Sequence, residues 1–113
     1  MSEFVARRLE TIEQAEPVPG LRMRSWAGAG LSAVHARLAP NTAMPQHHHV
    51  AEQMGIVLEG AMTITAGTRS EHVSTGTVYR IASDVPHSVQ AGPDGCVIIE
   101  MFAPARENAR PLA

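Results

Sequence analysis

The residues best suited to chemistry in this sequence are three consecutive histidines, His47, His48 and His49, with Gln53 close behind them. Side chains on a β-strand point alternately to its two faces, so residues of one parity meet on one side. On this rule His47, His49 and Gln53 share a face, whereas His48 points the other way. Two imidazoles and an amide oxygen on one face indicate part of a metal site. A bulge near Val50 would break this parity.

A fourth candidate ligand stands much later in the sequence. His87 follows Pro86, whose ring fixes the backbone that leads to the imidazole. Together with His47, His49 and Gln53, it would complete a shell of three imidazoles and one amide oxygen. Such a shell suits one divalent transition metal, Fe, Mn, Co, Ni or Zn, and leaves positions open for water or substrate. Three histidines in a row could also form a solvated surface turn. The presence of Gln53 on the same face and of His87 later in the sequence favours the metal site instead.

Length and composition restrict the remaining possibilities. A chain of 113 residues suits a single domain over 1–113, with an N-terminal arm over 1–20 and a C-terminal tail over 104–113. The net charge of -2 and the scattered charged residues argue against nucleic acid as a partner. The apolar stretches are too short to cross a membrane and the first residues lack a signal peptide, so we expect a cytoplasmic protein. The single cysteine, Cys96, is expected to be a small buried hydrophobe.

From Leu21 onward, short segments rich in Val, Ile, Thr and Met alternate with clusters of Gly, Pro, Asn and Asp, which is typical of antiparallel β structure. Eight or nine strands predict an all-β jelly roll or barrel. The predicted strands are Leu21–Trp26, Leu31–Leu38, Gln46–His49, Gln53–Glu59, Ala61–Ala66, Glu71–Ser74, Thr77–Ile81, Ser88–Ala91 and Cys96–Phe102. Glu59 and Gly60 are predicted to form a tight hairpin turn, because glycine accepts a positive φ. Only the segment from Ser2 to Gln14 has a sequence that could form a helix.

The other apolar and aromatic residues are assigned to packing. The barrel wall and core are predicted to contain Met54, Ile56, Leu58, Met62, Ile64, Val78 and Ile81. Trp26 and Tyr79 are expected to be packing residues or pocket walls, and the sequence leaves both roles open. His35 and His72 have no partner at ligand spacing, so both are expected to lie at the surface or to form hydrogen bonds.

The candidate ligands and their neighbours resemble the two sequence motifs of the cupin superfamily. The first motif is matched by Asn41, His47, His49, Gln53 and Gly60, and the second by Gly76, Ala82, Asp84 and His87. The resemblance implies a double-stranded β-helix, or jelly-roll barrel, around a metal held by the four candidate ligands. Asn41 and Asp84 stand where the family usually has glycine, and both residue types tolerate left-handed backbone. Gln53 replaces the usual glutamate, which leaves the metal charge uncompensated and favours Lewis-acid work on an anionic substrate.

Within this family, the sequence is similar to the small single-domain cupins of pectin and alginate breakdown, which open the ring of 4,5-unsaturated uronates. Those proteins carry an Asp, a Phe and an Arg in and after their last strand, and here Glu100, Phe102 and Arg106 stand at those positions. The resemblance implies that Glu100 and Arg106 are catalytic and that Phe102 binds substrate. From the residues alone, Glu100 could instead form an ion pair with Arg24, Arg80 or Arg106. Arg106 could clamp a substrate carboxylate or lie in solvent.

These residues favour an enzyme that uses its metal to polarise a small carboxylated sugar or a related carbonyl compound, with Glu100 as acid or base. A metal-dependent dioxygenase is the first alternative, and it would need a redox-active ion with two open coordination positions. A non-catalytic ligand-binding or sensor cupin is the second, because a fold does not by itself establish chemistry. In each case the expected partner is a small molecule.

The sequence also predicts a homodimer. A small β-sandwich has edge strands to cover, and the stretch from Phe4 to Ile12 can add to a neighbouring copy. The similarity to the family points the same way. Light scattering at micromolar concentration is expected to give twice the mass of one chain, and a clean monomer mass would contradict the prediction.

Overall fold

Strands account for most of the computed structural model, which describes residues 3–112. Within that range the strands are β1 (Gln14–Val18), β2 (Leu21–Ala27), β3 (Ser32–Leu38), β4 (Ala43–His47), β5 (Glu52–Ala66), β6 (Arg69–Ser74), β7 (Val78–Ile81), β8 (His87–Ala103) and β9 (Arg110–Pro111). One turn of 3-10 helix, Leu9–Thr11, precedes them. No helix within residues 3–112 is long and apolar enough to cross a membrane. The predicted all-β class is confirmed.

The architecture depends on two long strands that pair antiparallel along almost their whole length. The register of β5 on β8 runs from Glu52 opposite Ala103 to Ala66 opposite His87. On the side away from this pairing, each long strand changes its partner halfway along. Strand β5 pairs first with β7 and then with β6, and β8 pairs first with β4 and then with β3. The chain therefore folds into two layers that share both long strands, which is the predicted jelly-roll arrangement. Strands β2 and β1 extend the β3 layer, with β9 parallel to β2.

The hydrophobic core lies between these two layers. Its largest fully enclosed side chains are Leu21, Met62 and Val57. The other buried members are Ala36, Leu38, Ile64, Val73, Ile81, Ala91, Cys96 and Ile98. Each large apolar side chain removed from water stabilises the fold by about 1.5–3 kcal/mol. Burial raises the pKa of the Cys96 thiol to about 11, so the expected small buried cysteine is confirmed.

The hairpin predicted at Glu59 and Gly60 is wrong, because β5 runs through both residues without a turn. Gly60 does adopt a positive φ of 76°, but this backbone conformation belongs to an irregularity within the strand. The register on β8 shifts between Val57 and Glu59, and again between Gly60 and Met62. Such bulges bend a strand and increase its twist, which lets β5 pass from one layer into the other.

The same bulges explain why part of the predicted core is wrong. Inward positions of β5 are odd-numbered up to Val57 and even-numbered from Met62 onward. Met54 and Leu58 therefore point outward, and they are 53% and 38% exposed. Val78 lies on the outer face of β7 and is 72% exposed. The prediction is confirmed for Met62, Ile64 and Ile81, and Ile56 is half-buried.

The N-terminal segment, which the sequence marks as the only candidate helix, does not form an α-helix within the described residues. Leu9–Thr11 is a single 3-10 turn that buries no side chain, and the chain enters β1 at Gln14. Arg24 of β2 donates a hydrogen bond to the backbone carbonyl of Ile12, which holds the segment beside the sheet. A short helix without a buried apolar face has little to stabilise it in water. Ser2, the first residue of the candidate helix, lies outside the described residues.

Replacing Gly60 with alanine is expected to destabilise the fold by about 2 kcal/mol or more. The new side chain would be strained by the φ of 76°, and its methyl group would overlap the carbonyl oxygen of Gly95. Gly67 is the matched control, because its φ of 59° is also positive and no atom of the described residues lies within 4 Å of an added methyl group. Gly67→Ala should therefore cost only about 1 kcal/mol. Urea unfolding measures both changes, and equal losses would mean that the contact with Gly95 has no effect.

Candidate metal centre

Three histidines from two parts of the sequence converge inside one end of the barrel. His47 ends β4 and lies directly opposite His87, the first residue of β8, while His49 stands in the loop that follows β4. The ring centroids are 4.2 Å apart for His47 and His87, 5.1 Å for His49 and His87, and 5.6 Å for His47 and His49. One nitrogen from each ring lies within 4.8 Å of the other two. All three imidazoles can therefore bind one ion.

Each of the three rings is oriented in the same way. Nδ1 lies against the backbone carbonyl oxygen of a residue two positions away, at 3.1 Å for His47 and at 2.8 Å for His49 and His87. A carbonyl oxygen only accepts hydrogen bonds, so Nδ1 carries the proton and Nε2 of the neutral ring keeps its lone pair. Proteins commonly fix the orientation and tautomer of metal-binding histidines by such bonds.

Two of the three histidines also have the protonation state that a metal requires. Burial lowers the pKa of His49 and of His87 below the ordinary histidine value, and the positive charge of Arg106 acts in the same direction. Hydrogen bonds from the rings to backbone carbonyls oppose these effects in part. Both rings are therefore neutral at pH 7, as metal ligands must be.

Three buried ligand atoms have unmet bonding capacity, which is the observation that most favours a metal. Nε2 of His49, Nε2 of His87 and Oε1 of Gln53 are buried and have no hydrogen-bond partner within residues 3–112. Gln53 and His87 are only 4% and 3% exposed, so bulk water does not satisfy these atoms. A buried polar atom without a partner costs about 1–3 kcal/mol. A divalent transition ion would satisfy all three, so the residues present fit the predicted metal.

His48 points away from this cluster. Its side chain is 66% exposed, and its Nδ1 lies 3.6 Å from Oδ1 of Asp84. The predicted grouping of His47 with His49 is confirmed, but the physical reason differs, because β4 ends at His47 and His49 lies in a loop. The backbone N–H of Asp84 donates to the carbonyl of His49 at 2.8 Å and so holds this loop. The left-handed backbone expected at Asn41 and Asp84 is confirmed by φ values of 62° and 60°.

A cavity of about 90 Å³ opens beside the three histidines. Glu100, Phe102 and Arg106, which the sequence predicts as site residues, all line it. Phe102 meets His49 edge-on, with ring centroids 5.6 Å apart. The guanidinium carbon of Arg106 lies 5.4 Å from the centre of the Phe102 ring, where the aromatic face attracts a cation. The structure therefore brings these three residues to the same cavity as the histidines.

Glu100 is held by two neutral hydrogen-bond donors. Its Oε2 accepts a hydrogen bond from Nε2 of Gln53 at 2.9 Å and another from the hydroxyl of Tyr79 at 2.6 Å. Burial raises the pKa of the Glu100 carboxyl, although both hydrogen bonds and the charge of Arg106 oppose the effect. Burial and the nearby Glu100 also raise the pKa of Tyr79, so the phenol stays protonated and donates. Sequence reasoning left Tyr79 as either a packing residue or a pocket wall, because its neighbours in the chain give no sign of this contact.

The alternative of an ion pair between Glu100 and an arginine is not found within the described residues. Arg80 pairs with Glu52, and Arg24 donates to backbone carbonyls of the N-terminal segment. Arg106 lines the same cavity as Glu100 but forms no salt bridge with it. Within the described residues, the carboxyl of Glu100 therefore has no cationic side chain in direct contact. It is held by two neutral donors, Gln53 and Tyr79.

The sequence model of the cupin domain matches residues 34–102, which is more than half of the chain and includes all three histidines of the cluster. This chain belongs to the cupin family. Arg106 lies just beyond the matched segment, in the part of this cupin that follows β8. Comparison with curated proteins finds no match.

Solved structures of other cupins share this fold. An RmlC-like cupin from Shewanella frigidimarina is 24% identical, with a TM-score of 0.83 over 95% of this chain and 96% of that chain. KdgF from Halomonas sp. is 20% identical, with a TM-score of 0.81 over 96% of this chain and 98% of that chain. Oxalate decarboxylase from Bacillus subtilis is 19% identical, with a TM-score of 0.86, and this cupin spans only 32% of that longer chain. At these identities the likeness shows a common fold.

His49→Ala is expected to lose the metal, because it removes one of three converging imidazoles. His48→Ala is the matched control, since His48 points to solvent, and it should keep about one divalent ion per chain. Elemental analysis after dialysis against trace metal measures both variants. An empty His48→Ala and a loaded His49→Ala would show that the ligand assignment is wrong by one residue.

Proposed function

We propose that this cupin is a metal-dependent enzyme that acts on a small carboxylated compound by Lewis-acid and acid–base chemistry. The observation that carries the proposal is that Glu100 and Arg106 line the same cavity as the three histidines. Structural metal sites are usually closed by protein ligands, whereas catalytic sites keep a position open beside groups that bind substrate and move protons. This cavity has both kinds of group.

Each residue that lines the cavity has a proposed role. A divalent ion held by the histidines and Gln53 would supply the Lewis acidity that polarises a substrate oxygen. Glu100 would give or take a proton, because this residue lines the cavity and its carboxyl is fixed by two hydrogen bonds. The planar guanidinium of Arg106 suits a bidentate bond to a substrate carboxylate. Phe102 would hold that guanidinium beside the cavity through the contact with its ring.

Among carboxylated compounds, we propose 4,5-unsaturated uronates as the substrates and carbohydrate degradation as the role. The support is the resemblance of Glu100, Phe102 and Arg106 to the motif of the uronate-linearising cupins. Opening such a ring is an isomerisation in which the anomeric hydroxyl loses a proton and becomes a carbonyl group as the bond from the anomeric carbon to the ring oxygen breaks. The alkene carbon then gains a proton as the former ring oxygen becomes a ketone. One carboxyl can carry out both proton transfers, which suits Glu100.

The shape of the site supports a ligand that extends outward. The inner cavity of about 90 Å³ is smaller than typical ligand sites, which start at about 300 Å³. A cleft of about 410 Å³ lies next to it, and His49 and Arg106 line both spaces. We infer that the carboxylated end of the ligand enters the inner cavity and that the rest occupies the cleft between residues 49–51 and 104–108.

The metal-loaded protein is expected to accelerate the loss of alkene absorbance of unsaturated galacturonate or mannuronate. Glu100→Gln should slow this loss by about a hundredfold or more. That variant keeps an oxygen that can accept from Gln53 and Tyr79, so its metal content should stay intact. Glu100→Asp should remain active, because it restores the shorter side chain of the resembled family. His48→Ala is the control and should be as fast as the wild type.

Other outcomes of this experiment separate the alternatives. Oxygen uptake with a redox-active ion would favour the dioxygenase. Thermal stabilisation by carboxylates that are never turned over would favour the sensor. If no divalent metal supports ring opening, the uronate proposal fails and the family assignment stands. Equal rates for the wild type and Glu100→Gln would remove Glu100 from the mechanism.

A further inference from the structure

A row of residues across three strands joins Tyr79 to the metal centre. Tyr79 of β7 lies opposite Gly55 of β5, and Gly55 lies opposite Glu100 of β8. The side chain of Tyr79 must therefore cross the whole width of β5 to reach Glu100. Its hydroxyl does so and donates to Oε2 of Glu100 at 2.6 Å.

Gly55 makes this crossing possible. A methyl group built on Gly55 would lie 2.5 Å from both Cζ and the hydroxyl oxygen of Tyr79, which is well inside the distance at which such atoms repel. Gly55 is not among the described glycines with positive φ, so its backbone does not require the absence of a side chain. The contact with Tyr79 does require it. The phenol ring occupies the space that a side chain at position 55 would fill.

The row ends at a candidate metal ligand. Oε2 of Glu100 also accepts a hydrogen bond from Nε2 of Gln53 at 2.9 Å. The two atoms of an amide point in different directions from one carbon, so an amide that donates through Nε2 turns Oε1 away from Glu100. Oε1 of Gln53 is one of the buried atoms that have no hydrogen-bond partner in the described part of the chain and that fit the metal. The position of Oε2 of Glu100 therefore determines which atom of the Gln53 amide faces the histidines.

We propose that Tyr79 is a positioning residue for metal binding, which acts through Glu100 to hold the amide oxygen of Gln53 toward the ion, and that position 55 is glycine in order to admit Tyr79. The inference rests on the metal centre described above. Without the hydroxyl of Tyr79, one donor instead of two holds Oε2 of Glu100. The carboxyl can then turn, and the amide of Gln53 loses the orientation that presents its oxygen.

Cobalt(II) is the probe for this proposal, because its visible absorption reports the number and type of its ligands. Tyr79→Phe should weaken cobalt binding about tenfold in competition with a chelator and should change the visible spectrum of the bound ion. In a Gln53→Ala background, the same substitution should cause no further loss of affinity, because the residue through which Tyr79 acts is gone. Equal losses in both backgrounds would indicate a merely structural role and overturn the proposal.

A second variant keeps the tyrosine and displaces it. Gly55→Ala should reproduce the lower affinity and the altered spectrum of Tyr79→Phe, because the new methyl group would occupy the position of the phenol. Gly30→Ala is the matched control and should bind cobalt like the wild type, since no atom of residues 3–112 lies within 4 Å of its added methyl group. A wild type that binds no cobalt would overturn the metal centre itself. Normal affinity and spectrum in Tyr79→Phe would overturn this inference alone.

Discussion

The antiparallel pairing of β5 with β8 fixes the position of most groups at the metal centre. Gln53 stands near one end of this ladder, opposite Phe102, and His87 stands at the other end, opposite Ala66. The two ends meet at one cavity because the ladder folds over at the bulges of β5. A slip of one residue would turn Gln53 out of the barrel. It would also expose core side chains such as Val57, which costs free energy. The burial of the apolar core therefore stabilises the register that places the metal ligands.

The interior of the barrel is apolar, and the polar atoms placed there are bonded with few exceptions. Backbone carbonyls accept the Nδ1 protons of the three histidines, and Glu100 takes its bonds from Gln53 and Tyr79. Within residues 3–112, Nε2 of His49, Nε2 of His87 and Oε1 of Gln53 are buried without a hydrogen-bond partner, and a cation can use all three. The site is therefore recognised by the atoms that the rest of the structure leaves without partners.

The sequence was sufficient for features that depend on local rules. Strand rhythm gave the all-β class, and the special tolerance of Asn41 and Asp84 for left-handed backbone matched their φ values. Gly60 shows where local rules stop, because a positive φ serves a hairpin or a bulge equally and the partner strand decides between them. Tyr79 shows a second limit, since its contact with Glu100 depends on the registers of β7, β5 and β8 together. Neither the register of β7 on β5 nor that of β5 on β8 can be inferred from the residues beside Tyr79.

Where the two layers meet, the barrel is closed by backbone against backbone. A methyl group on Gly60 would overlap the carbonyl oxygen of Gly95, and one on Gly95 would lie 2.6 Å from the carbonyl oxygen of Leu38. Backbone segments therefore approach each other here more closely than any side chain at these two positions would allow. The wall of the cavity, in contrast, includes flexible side chains such as Met23 and Met44. The residues that hold the strands together thus differ from those that shape the cavity. Substitutions at these methionines could change the cavity volume, while the glycines keep the strands that carry the ligands in place.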